Sequence, residues 1–300
     1  MEFIDQASSG KNNFFSYLTG TLIILGLFLL GNSALFFYLN FQFPNEPIDS
    51  WTQSKITASL GKTELLFWLT FPFALVFFGL IFHINKVHGR TISSIFTGKE
   101  KFNWKRTFFS FGLVFGILAL SLVVQRFFGH DLKFQFDINK FLPLLVVSLI
   151  MLSIQTTCEE VIFRSYLLQG FKNRLRSNKA AVLISGIMFG AIHIGNPEIQ
   201  VIGYHILVYY IVVGIFLGLI TLFDNGMELA IGYHAANNIF AAIVVTNDWQ
   251  AFQTDAIFLD TSQPGFAWDV LLGIFVVLPF IFYVFSKKYN WQSLKEKWNG

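Results

Sequence analysis

Three short patterns in this chain bring together side chains able to move protons or hold a negative charge. Glu159 and Glu160 are adjacent, with Arg164 four residues after the second. Phe189 precedes His193 by four residues, and His234 precedes Asn238 by four. Residues four apart share a helix face, so on helices Glu160 and Arg164 form an ion pair. Glu159 points about 100° away and is left without an obvious local partner. A buried, unpaired carboxylate holds its proton more tightly, which suits a general base working near neutral pH. His234 and Asn238 offer a ring nitrogen and an amide on one face, groups suited to polarising a carbonyl or holding an oxyanion.

Each pattern also has a plainer reading. The two glutamates are solvated residues at a membrane border on that view, and a single histidine on an apolar face is a satisfied core residue. His and Asn in membrane helices commonly hydrogen-bond across helices. The combination of all three patterns favours a shared site.

The elements that carry them are hydrophobic helices. Hydrophobic residues make up 54% of the 300 and charged residues only 13%, with a mean hydropathy of +0.57. A soluble domain carries roughly a quarter charged residues, so a water-facing globule is excluded. Eight apolar stretches are long enough to cross a hydrocarbon core of about 30 Å: 14–41, 64–83, 107–128, 141–171, 180–194, 201–223, 227–246 and 268–286. The fourth is long for one crossing and must tilt, break or protrude; the fifth is short. The expected fold is all-α, a polytopic membrane bundle of about eight transmembrane helices forming a single domain over 1–300.

Charge placement orients the chain. Basic residues concentrate in cytoplasmic segments. With the amino terminus inside, 15 of the 21 Lys and Arg fall in inside segments and five outside, with Arg164 inside a helix. Both termini are therefore expected to be cytoplasmic. A signal peptide competes for the first stretch, but its long apolar run favours a retained helix.

A charge near the bilayer centre costs at least about 2.5–3.5 kcal/mol. The first three stretches are nearly free of such residues, whereas the later ones carry Glu159, Glu160, Arg164, His193, His234, Asn237 and Asn238. The basic connector 172–179 makes a hairpin of the fourth and fifth stretches. Glu159 lies about 16 residues before its midpoint and His193 about 18 after, so equal helical rise puts both at one level, roughly 20 Å or more from the connector.

Other polar residues read blandly. The lone Cys158 excludes an intrachain disulfide and suits a small packing residue. His83, His88 and His130 fall at helix ends or in loops and are expected to be solvated. Gly214 and Gly218 suit a close helix contact, Asp224-Asn225-Gly226 a tight turn, and Trp291 and Trp298 an interfacial tail. The linker 247–267 carries Pro264 and Gly265.

The order EExxxR, FxxxH, HxxxN in successive hydrophobic helices resembles the CPBP family of intramembrane proteases, the CAAX protease and bacteriocin-processing (Abi) family. The matching region is about 141–245, a CPBP-like catalytic core, while the remaining helices carry no signature. The resemblance implies that Glu159 activates water with help from His193. It implies that His234 and Asn238 hold the oxyanion, and that Glu160, Arg164 and Phe189 support the site. Metal use stays open: His193, His234 and Glu159 would supply three zinc ligands, yet the HExxH spacing is missing.

The expected activity is endopeptidic hydrolysis of a membrane-associated protein or peptide by a Glu-activated water, in the plasma membrane of a bacterium. Its partners are then bilayer lipid and that substrate, not nucleic acid. The competing readings are a non-catalytic immunity or scaffold protein, and a proton-coupled transporter. Clustering of the polar residues at one level, rather than along a path across the membrane, weighs against transport.

Overall fold

The computed structural model describes residues 1–129, 131–262 and 268–300; His130 and the linker residues Pro264 and Gly265 lie outside the described residues. The main elements are α1 (Phe14–Gln42), α2 (Lys62–Lys86), α3 (Trp104–Phe127), α4 (Ile138–Leu175), α5 (Asn178–Ile192), α6 (Ile206–Asp224), α7 (Glu228–Ile243) and α8 (Val270–Lys288). All except α7 are long and apolar enough to cross a membrane, α5 with the 3-10 turn that prolongs it to Gly195. The chain is an integral membrane protein with an all-α fold.

The seventh predicted crossing differs from the rest. At 16 residues, α7 rises only about 24 Å. It is buried along its whole length except at Asn237, Asn238 and Ala241. In contrast, α1 exposes Leu29, Phe37 and Phe41, as a lipid-facing helix does. The helix carrying HxxxN is thus enclosed by its neighbours.

Glycines let those neighbours close in. A Cβ on Gly232 of α7 would collide with the Thr107 carbonyl of α3. The other close pair is α5 with α6, where a Cβ on Gly214 would stand 2.6 Å from the Gly186 carbonyl. The close contact expected of Gly214 and Gly218 is therefore made with α5. Phe163, Phe189, Leu217, Tyr233 and Ile281 join α4 to α8 in one buried cluster.

The long fourth stretch neither breaks nor ends early. It stays helical for 38 residues by taking in two π turns, Ser148–Leu152 and Val161–Leu167. Each wider turn alters the helix phase, as π-bulges at functional sites do. Between them lies one short α-helical window, Ser153–Glu160. The second π turn is held from outside, because Ser185 of α5 donates to the Phe163 carbonyl at 2.6 Å.

Three short strands form a small sheet absent from the sequence reading. They are β1 (Leu132–Phe134), β2 (Val245–Thr246) and β3 (Phe258–Asp260), in the order β1-β3-β2. β1 runs antiparallel to β3, and β2 runs parallel to it. The sheet ties the segment after α3 to the one after α7.

Two expectations about loops need correction. His83 and His88 are not solvated; both are buried, at 1% and 2% exposure. Their ring nitrogens reach the carbonyls of Ser16 (2.9 Å) and Lys11 (2.6 Å), so the amino-terminal segment covers them. Trp291 packs among Phe223, Phe282 and Phe285 instead of lying free at an interface, and its indole N–H donates to Asp224. Cys158 is buried, as a packing residue should be.

Candidate functional site

The site starts from the α-helical window of α4. Glu159 and Glu160 are both buried, at 4% and 0% exposure, and point to different partners because they are consecutive. Arg164 Nε stands 3.1 Å from Glu160 Oε2, the ion pair the spacing suggested. The guanidinium also lies over the Phe189 ring, 5.0 Å from its centroid, within cation–π range.

His234 of α7 enters between the two carboxylates. Its Nδ1 lies 2.9 Å from Glu160 Oε1, and its Nε2 lies 3.6 Å from Glu159 Oε2. A carboxylate only accepts, so Nδ1 carries hydrogen and donates to Glu160. Nε2 is then the ring atom turned to Glu159. The imidazole beside the free carboxylate is therefore His234.

His193 sits differently. It caps the end of α5, and its Nδ1 lies 2.7 Å from the Phe189 carbonyl. A carbonyl also only accepts, which leaves Nε2 with a free lone pair. The ring stacks on Tyr210 at 4.4 Å and 20°. Phe189 stands between the two imidazoles, its ring 4.9 Å from His193 and 5.7 Å from His234. Among the described residues, the ion-pair contacts of Glu159 and Glu160 go to His234 and Arg164, not to His193.

Sequence reasoning missed Gln155. Its Nε2 donates to Glu159 Oε1 at 2.5 Å, and its Oε1 accepts from Asn238 Nδ2 at 3.0 Å. Glu159 thus has a local partner after all. The available signal was the same i, i+4 spacing used for Glu160 and Arg164; an uncharged side chain simply did not stand out.

A second missed feature fixes where α7 starts. Asp224 and Glu228 flank the turn that joins α6 to α7, and both are buried. Lys99 Nζ reaches Asp224 at 3.2 Å and Glu228 at 3.1 Å, and Arg106 also pairs with Asp224. Glu228 accepts from Thr97 Oγ1 at 2.9 Å and from the Asn103 amide at 3.3 Å. The tight turn expected at 224–226 is present, with Asn225 in the left-handed region at φ 58°. The basic segment before α3 is thereby clasped onto the base of α7, six residues below His234.

Zinc would need three or four convergent ligands. Among the described residues, no three His, Cys, Asp or Glu side chains stand together as a metal would require. Glu159 and His234 would supply two. His234 Nδ1 is already engaged by Glu160, and His193 Nδ1 by the Phe189 carbonyl. Among the described residues, the donors do not converge as a three-ligand centre.

Comparison with known proteins agrees with the motif reading. Residues 140–240 match the family model described as "Type II CAAX prenyl endopeptidase Rce1-like", so the resemblance to CPBP proteases holds over the segment that contains the site. The chain is 26% identical over 279 residues to the "Uncharacterized protein YyaK" of Bacillus subtilis (strain 168), covering 90% of this chain and 91% of that protein. No solved structure matches.

Proposed function

We propose that this protein is an intramembrane endopeptidase that cleaves membrane-tethered peptides with a water activated by Glu159. The observation that carries the reading is the joining of α4 and α7 through His234, held by Glu160 on one side and facing Glu159 on the other. The family match supports protease chemistry for the same segment. The family's prenyl endopeptidase description also makes prenylated carboxyl-terminal peptides the first substrates to try.

The hydrogen-bond pattern suggests a division of labour. Glu159 takes a proton from water, which attacks the scissile carbonyl. His193 Nε2, with its free lone pair, accepts the proton of the hydroxyl that has added and delivers it to nitrogen as the C–N bond breaks, leaving a carboxylate, and Glu159 releases its own proton to the freed amine. Asn238 Nδ2 carries an N–H for the tetrahedral oxyanion, and His234, whose Nδ1 donates to Glu160, adds an Nε2–H in its imidazolium form, when both ring nitrogens bear hydrogen; one such donor is commonly worth 10²–10³ in rate, about 3–4 kcal/mol. Glu160 and Arg164 hold His234 in position. The charge distribution along the chain supports cytoplasmic termini, and the bacterial relative supports a plasma membrane.

The test is cleavage by purified protein in lipid nanodiscs, offered farnesylated and acylated peptides. Cleavage lost in Glu159→Gln and in His193→Ala, with melting temperature retained, supports the reading. Equal cleavage by Glu159→Gln overturns it. If no peptide is cut and liposomes take up solute with protons, the transporter reading replaces it. A chelator arm shows whether a metal is required.

A further inference from the structure

We infer that Gln155 is a positioning residue that holds Glu159 ready to accept a proton and keeps an N–H of Asn238 facing the reacting carbonyl. This rests on the reading of Glu159 as the base. Gln155 is 4% exposed, so its amide has no water to fall back on and must be satisfied by protein. Its two contacts fix its orientation. The amide N–H donates to Glu159 Oε1, and the amide oxygen accepts from Asn238 Nδ2. Turned over, the amide would set oxygen against carboxylate and NH₂ against NH₂, losing both bonds.

Each bond has a separate consequence. A hydrogen bond donated to a carboxylate favours its ionised form, so Gln155 keeps Glu159 able to take a proton from water. The bond to Asn238 determines which end of that side chain is presented. Asn238 gives one N–H to Gln155 and has a second for the oxyanion; its carbonyl oxygen turns toward Asn237 Nδ2, 3.5 Å away. Without Gln155 the Asn238 amide is free to rotate and offer its oxygen, which repels the oxyanion.

The backbone sets Gln155 against Glu159. Gln155 and Glu159 both lie in the α window Ser153–Glu160, between the two π turns. Side chains at i and i+4 stack in an α-helix, so the window sets Gln155 one turn before Glu159 on the same face. The charged or titratable groups around Glu159 are Cys158, Glu160 and Arg164 of its own helix and His234 of α7. α2, which also packs here, carries its ionisable residues Lys62, Glu64, His83 and Lys86 at its two ends. Gln155 is thus the neutral donor in a charged group.

Two near-isosteric variants separate the roles. Gln155→Met removes both bonds while keeping volume; Gln155→Glu keeps an acceptor for Asn238 and removes the donor to Glu159. The first readout is an infrared pH titration of the protonated-carboxyl band in nanodiscs, with the Glu159 band identified by its loss in Glu159→Gln. The expected midpoint shifts in Gln155→Met, which takes away the donor to Glu159 and adds no charge. The second is the cleavage profile: kcat falls on the order of 10²-fold in Gln155→Met, with KM unchanged and the acid limb displaced upward. Gln155→Glu keeps more of its kcat once the pH exceeds its displaced limb.

An unmoved midpoint in Gln155→Met, with melting retained, overturns the inference; so does a fall in kcat without a displaced limb. Should Gln155→Met fail to fold, Gln155→Leu takes its place in the same titration. The infrared readout needs no substrate. Failure to find a cleaved peptide counts against the proposed function, while an unmoved band counts against Gln155.

Discussion

His234 Nδ1 lies 2.9 Å from Glu160 Oε1, so the carboxylate that pairs with Arg164 also fixes the imidazole that faces Glu159. The two adjacent glutamates therefore have different work. Glu160→Gln still accepts from Nδ1 but loses its charge beside Arg164. Cleavage is expected to fall by about 10–100-fold, as when an orienting hydrogen-bond partner is removed, with the fold retained. Single-turnover rates against melting temperature check this. A loss of folding equal to the loss of rate would make Glu160 structural only.

Removing the side chain's acceptors together with its charge has a larger effect. Glu160→Ala leaves Arg164 buried, at 0% exposure, without its carboxylate. Breaking a buried pair costs about 3–5 kcal/mol, so the variant should unfold at distinctly lower denaturant or temperature. The double variant Glu160→Ala with Arg164→Met should recover part of that loss.

Ser185→Ala tests the π turn. The Oγ bond to the Phe163 carbonyl adds a partner from outside the helix to the Leu168 N–H that the same carbonyl accepts, so its loss costs about 0.5–1.5 kcal/mol. Hydrogen exchange should quicken over residues 161–167, and cleavage should fall because that turn adjoins Glu160. Unchanged exchange there would show that the bond does not hold the turn.

The clasp at the base of α7 predicts a third stability loss. Glu228→Ala removes the acceptor for Lys99, Thr97 and the Asn103 amide, with an expected cost on the order of 3 kcal/mol. Because α7 carries His234 and Asn238, cleavage should fall with it. Thermal melts and activity of the same preparation provide the comparison.

His88 gives a pH dependence of known sign. Burial is the chief cause holding its pKa below the ordinary 6.5, so the folded protein binds this proton less readily than the unfolded chain. Stability is then full above about pH 6.5 and falls as the pH drops from there toward the lowered folded value. Melting temperature should decline from pH 7.5 to 5.5, and His88→Gln should flatten the decline. A slope unaltered by that substitution would assign it to other groups.

Much of this was written along the chain. Composition and runs of apolar residues determined a membrane helical bundle, because lipid requires backbone hydrogen bonds to close within each segment. Four-residue spacings marked Glu160 with Arg164, Phe189 with His193 and His234 with Asn238, since one turn of a helix is a local property. The tertiary structure decided what faces those pairs. It set His234 rather than His193 beside Glu159, linked Glu159 to Asn238 through Gln155, enclosed α7, and buried His83 and His88 under the amino-terminal segment. Those outcomes depend on how helices cross and on two π turns that shift the phase of α4. Neither crossing angle nor phase shift is carried by spacing within a single helix, so only packing between helices could determine them.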